Sequence, residues 1–222
     1  VKIHPLHGWN LSPQAATALQ KELASQLISD APIDLGKVDT VAGVDVSIKD
    51  KMAQAAVVVM RYPELEMIET VRARGPAAYP YIPGLLSFRE GPVLEAAFRQ
   101  LSAEPDVFLF DGMGQIHPRR MGIAAHLGLW LRRPTVGCGK THFIGSYEEP
   151  NKEKGSAAPL TYRGEQLGVV LRTRANVKPI YVSVGHLADL HSAVELVLAC
   201  TPKYRLPSPI RQAHIAAGAP ID

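Results

Sequence analysis

Cysteine is scarce in this chain of 222 residues: it has only two, Cys138 and Cys200, far apart and outside any metal-type spacing. That leaves no basis for a disulfide framework and argues for free thiols in a reducing compartment. No apolar run approaches the ~20 residues a membrane helix needs. The opening VKIHPLHGWNL lacks the apolar core of a secretion signal. A cytoplasmic protein with no membrane contact is therefore expected. The sequence starts at Val1 with no initiator methionine, so a few upstream residues are expected to be missing from it.

Acidic residues are locally absent as well. None occurs from Gly112 to Tyr147, a span that holds Arg119, Arg120, Arg132, Arg133 and Lys140. A second acid-free reach, from Leu196 to Ile221, carries Lys203, Arg205 and Arg211. The total charge of +3 and the pI near 8.9 permit a nucleic-acid partner without demanding one. The length suits one domain with one sizeable core.

The order of elements follows from periodicity. SPQAATALQKELASQLI reads as a helix with Ser12 as N-cap, Pro13 in the first turn and a stripe of Leu19, Leu23 and Leu27. It is expected to form an appendage at about 1–35 on a single domain covering 1–222. Three strand-like runs follow, TVAGVDVSIK, AQAAVVVMRY and EMIETVRARG, with breaks short enough to imply an antiparallel meander. Helices and strands then alternate: a helix from Pro92, the apolar strand DVFLFD, the helix MGIAAHLGLWLRR and the strand PTVGC. This rhythm implies parallel strands covered by helices. EEPNKEKGSAAP reads as a surface loop, EQLGVVLRTR and KPIYVSVG as a strand pair, and DLHSAVELVLAC as a helix capped by Asp189. The fold class is α/β, a mixed sheet flanked by helices.

Three acids stand out against this pattern. In VAGVDVSIK, alternation puts Ala42, Val44, Val46 and Ile48 on one face and Gly43, Asp45 and Ser47 on the other. The second face is small around one acid, leaving space for an ion and a phosphate; an ordinary solvated aspartate is the alternative. Asp111 ends the fully apolar VFLF, and ligands bind at the carboxyl ends of strands in open α/β sheets, although Asp-Gly is also a common turn pair. Glu90 fits a capping box with Ser87, but that would place Pro92 inside the helix. A start at Pro92 leaves Glu90 free. Carboxylates drawn together repel unless protons or cations intervene, and magnesium is the usual cation. No histidine pair has zinc spacing.

VAGVDVS, PYIPGLLSFREGP, DGMGQIHPRRMGIAAHLGLW, PTVGCGK and the late YRLPSPIRQAH occur in this order and at these separations. Together they resemble the endonuclease V family, the deoxyinosine 3'-endonucleases, from roughly Val41 to His214. The resemblance implies a ribonuclease-H-like sheet of three antiparallel strands followed by parallel ones. It implies metal binding by Asp45, Glu90 and Asp111, with Lys140, His117 and His214 completing the catalytic set. Pro80, Tyr81, Ile82 and Pro83 correspond to a wedge that separates strands. Gly84, Leu86, Gly112 and Ile123 correspond to the lesion pocket.

The activity so implied is Mg2+-dependent, with Mn2+ as a substitute. It is hydrolysis of the second phosphodiester bond 3' to deoxyinosine in DNA, leaving a 3'-hydroxyl and a 5'-phosphate. Arg89, Arg119 and Arg120 are expected to contact phosphate, and the protein is expected to act as a monomer. The alternatives are an inosine-specific endoribonuclease on the same scaffold, acting on inosine-containing RNA, and a nucleic-acid-binding module that no longer cuts.

Overall fold

The computed structural model describes residues 1–220; residues 221 and 222 of the expected domain lie outside the described residues. Helix α1 spans Pro13–Ala24, and the Ser12 hydroxyl caps it by accepting from the Ala15 N–H at 3.2 Å. Its stripe is not left in water: Leu23 is buried against Met121, Ala125 and Leu129, and Leu19 and Leu27 pack beside it.

One eight-stranded sheet runs in the order β3, β2, β1, β4, β5, β8, β7, β6. Strands β1 (Thr40–Lys49), β2 (Met52–Arg61) and β3 (Met67–Pro76) form the antiparallel meander that their short breaks implied. Strands β4 (Val107–Phe110) and β5 (Thr135–Gly139) extend it in parallel from β1. Antiparallel pairing then adds β8 (Ile180–His186), β7 (Glu165–Leu171) and β6 (Ala157–Tyr162). The α/β class and the mixed sheet are as expected.

Alternation sets the two core layers. Ala42, Val44, Phe108 and Phe110 face α2 (Leu86–Phe98) and α3 (Ile123–Leu131). Val41, Val107 and Leu109 face α4 (Leu190–Ala199) and reach Ile210 of α5 (Ser208–Gly218). Among the described residues no helix is long and apolar enough to cross a membrane.

The structure corrects three local expectations. Helix α2 begins at Leu86 and contains both Glu90 and Pro92, and no side chain caps it. Pro92 withholds one backbone hydrogen bond, but the turn before it is pinned. Phe88 is buried against Ala16 and Leu85, and the Ser87 hydroxyl lies 2.7 Å from His126 Nδ1. Second, the polar loop ends early: Ala157–Pro159 enter β6, where Ala158 and Leu160 alternate into the core. Third, the small face of β1 at Gly43 is not room for phosphate. A Cβ there would overlap the backbone of Pro209, so the missing side chain admits helix α5.

Candidate metal centre and adjoining pocket

Strand register brings the two aspartates together. Val44 pairs with Phe110 across the parallel β1–β4 ladder, and the Asp111 N–H donates to the Val44 carbonyl at 2.9 Å. Asp45 and Asp111 therefore leave that pair side by side at the carboxyl end of β4. Helix α5, lying on Gly43, delivers His214, whose Nδ1 is 2.7 Å from Asp45 Oδ2. One ligand atom from each of Asp45, Asp111 and His214 falls within 4.8 Å of the others.

Glu90 enters from α2, on the opposite layer of the sheet. It lies outside this three-atom group, yet near enough to feel both aspartates. Burial, and then the charges of Asp45 and Asp111, push its carboxyl up to about 8. Burial and then Asp111 push Asp45 up to about 6, against the opposing hydrogen bond from His214. The Lys140 ammonium, one residue beyond β5, pairs with Asp111 Oδ2. That oxygen is buried and accepts no hydrogen bond of ordinary geometry. The cluster is thus rich in acceptors and short of positive charge, a donor set that fits a hard divalent cation.

The centre opens into a cavity of about 400 Å3. Asp111 and Lys140 form one wall, and Gly84, Leu86, Gly112 and Ile123 all line it. Tyr81 stands at its mouth, 73% exposed, on the loop stiffened by Pro80 and Pro83.

The Gly84 carbonyl holds this loop to the body. It accepts from Gln20 Nε2 at 3.0 Å, His117 Nε2 at 3.0 Å and Arg119 Nη2 at 2.8 Å. Gly84 itself has φ of +82°, where a side chain would be strained and would crowd Arg119.

His117 lines the same cavity as Asp111 but is not among the three residues whose ligand atoms converge. Its Nδ1 accepts from the N–H groups of Arg119 and Met121, at 3.1 and 3.3 Å, which leaves the proton on Nε2 for Gly84. Burial, and then Arg119, lower its pKa to about 4. Both ring nitrogens are thereby engaged by backbone.

The three arginines expected at phosphate have partners within the protein. Arg89 donates to the Tyr79 carbonyl, Arg119 to Gln20 Oε1 and Gly84, and Arg120 pairs with Glu165.

Sequence reasoning missed Gln20 and Phe143. Gln20 is a fully buried polar residue of α1, between the buried Ala16 and Leu23, and a glutamine beside the leucine stripe carries no local mark of burial. Phe143 lines the cavity from the loop after Lys140; nothing in its local sequence marked it.

A helix-flanked mixed sheet, with acids, a histidine and a lysine gathered at the carboxyl ends of its parallel strands beside a nucleotide-sized cavity, defines an α/β enzyme whose chemistry sits at that edge. The model of the endonuclease V family matches residues 21–215. Endonuclease V of Methanothrix thermoacetophila is 46% identical over 215 residues, 97% of this chain and 95% of that protein. The crystal structure of endonuclease V from Bacillus subtilis superposes with a TM-score of 0.93 at 32% identity, covering 98% of this chain and 95% of that one. The Ciona intestinalis enzyme, solved with a 24mer DNA containing an inosine followed by a ribo-adenosine, gives 0.81 at 31% identity, covering 93% and 97%. The chain belongs to the endonuclease V family and is a nuclease of that family.

Proposed function

We propose that this nuclease recognises deoxyinosine in DNA, the product of adenine deamination. It hydrolyses the second phosphodiester bond on the 3' side, leaving a 3'-hydroxyl and a 5'-phosphate, as a monomeric cytoplasmic repair enzyme. The observation that carries the reading is a shared wall: Asp111 and Lys140 line the same cavity as the glycines and apolar residues suited to a flipped base. The position of the cut follows the family resemblance.

Asp45, Asp111 and His214 would hold Mg2+, or Mn2+ in its place, with Glu90 beside them. When bound, the ion polarises the scissile phosphate and lowers the pKa of water. The Lys140 ammonium, set against Asp111, is placed to steady charge that grows on the phosphate. Tyr81, held between two prolines, stacks into the gap left by the extruded nucleotide, and little loop entropy is lost when it does. The cavity takes the base, and backbone groups near Gly84 and Gly112 read its edge. His117 keeps that wall in place through Gly84.

An end-labelled deoxyinosine duplex, incubated with and without Mg2+, tests the assignment. Wild type should nick it only with metal. Asp111→Ala and Glu90→Ala should each lose at least ~10²-fold in rate. Undiminished cutting by either variant removes that acid from the mechanism. The ribonucleotide beside inosine in the Ciona complex favours a second reading, an inosine-directed endoribonuclease. Faster cutting of a matched inosine RNA than of the DNA would establish it.

A further inference from the structure

The loop that carries Tyr81 has a hollow on each side. One is the cavity beside the acids. The other is a cleft of about 530 Å3 between the loop, the end of β3 and α2. Trp9, Tyr79 and Pro80 form its walls, Phe88 its floor, and Arg74 and Arg89 its cationic rim. No residue lining it is acidic. Arg74 is exposed, and its side chain has no hydrogen bond or ion pair to the described residues. Arg89 donates through Nη1 to the Tyr79 carbonyl, and its other N–H groups have no hydrogen bond to the described residues. The Tyr79 hydroxyl is buried without a hydrogen-bond partner, and it is the ring of this residue that the cleft offers.

We infer that this cleft is a second nucleotide subsite, which takes the unpaired base and phosphate of the strand opposite the lesion. The inference rests on the proposed reading of the loop as a strand separator. Parting a base pair orphans two bases, and the acid-side cavity accommodates only one of them. The second base emerges on the other side of the loop, where Pro80 forms part of the cleft wall. Aromatic faces offer stacking that any base accepts, and guanidinium groups match a phosphate without regard to sequence. No acid lines the cleft, and the Glu95 carboxylate behind its wall is engaged by Trp9 Nε1 and Arg99, which keeps the rim attractive to the backbone.

The prediction separates duplex from single-stranded substrate. Arg74→Ala removes one cation of the rim, and Ala78→Phe, at an exposed position lining the cleft, fills the space. Each should raise KM about tenfold for a deoxyinosine duplex and leave single-stranded deoxyinosine DNA unchanged. Equal effects on both substrates, or none on either, overturn the subsite. In parallel, 5-iodouracil placed opposite deoxyinosine should photocrosslink, in the Asp111→Ala protein, to Trp9 or to the Tyr79 ring itself, resolved from Tyr81 by fragment sequencing. Crosslinks confined to Tyr81 or to other residues, or none, overturn it as well. Failure of wild type to nick any deoxyinosine duplex would instead overturn the proposed function, so the two failures are distinguishable.

Discussion

Gln20 shows how one side chain can fix a distant loop. Its Nε2 donates to the carbonyls of Gly84 and Met121, and its Oε1 accepts from Arg119 Nε at 2.7 Å. Gln20→Ala leaves that guanidinium N–H without an acceptor and takes one donor from each carbonyl, and it should cost about 1–3 kcal/mol in urea unfolding. Because the Gly84 carbonyl ties the pocket loop to the body, the variant should also raise KM for a deoxyinosine oligonucleotide. An unchanged midpoint would show that the network is not needed for stability. At this scale the letters told residue type and neighbourhood but not partners. His117 was visible in its HPRR motif, yet only the folded chain commits both ring nitrogens to backbone and so makes the ring a brace for Gly84. Asp45 and Asp111 were legible as candidates from their strand positions, while a solvated aspartate and an Asp-Gly turn stayed open for them until the family motifs were read. Gln20 was not, since a glutamine on a surface-like helix is commonplace.

Among the elements, β1 and α5 set the depth of the centre. The helix can carry His214 to Asp45, 169 residues apart in sequence, because residue 43 has no side chain. Gly43→Ala would drive a methyl into the Pro209 backbone. It is expected to destabilise the fold by about 1–3 kcal/mol and to weaken Mn2+ binding, read by calorimetry without nucleic acid. Native Mn2+ affinity in a folded Gly43→Ala protein would detach α5 from the metal site. Alternation along β1 was readable from sequence, and so was the face on which Asp45 lies. The identity of whatever covers that face was not, because it comes from the far end of the chain. Helix α2 failed for a related reason: the proline rule is local, whereas burial of Ser87 and Phe88 is tertiary and outweighs it.

Over the whole molecule, the cost of gathering acids sets a pH dependence. Relative to ordinary values of 3.8 and 4.5, the folded state raises Asp45 to about 6 and Glu90 to about 8. The metal-free folded protein therefore holds these protons more tightly than the unfolded chain. Their contribution to stability is fully present below about pH 4 and is lost as pH rises through about 6 and then about 8. A divalent ion supplies the missing positive charge. The Tm gain on adding Mg2+ should thus be larger at about pH 8 than at about pH 5, measured by thermal unfolding in matched buffers; equal gains would contradict a cation held among these acids. The sequence by itself determined the α/β class, the meander, the parallel strands and which acids were out of place, because hydrophobic period and strand-end position are local properties. Tertiary structure alone decided that His214 completes the three-atom group while Glu90 stands beside it, that Gln20 reaches the pocket loop, and that a second cleft flanks Tyr81. Distances between residues far apart in the chain depend on how layers pack, and packing is a property of the assembled core.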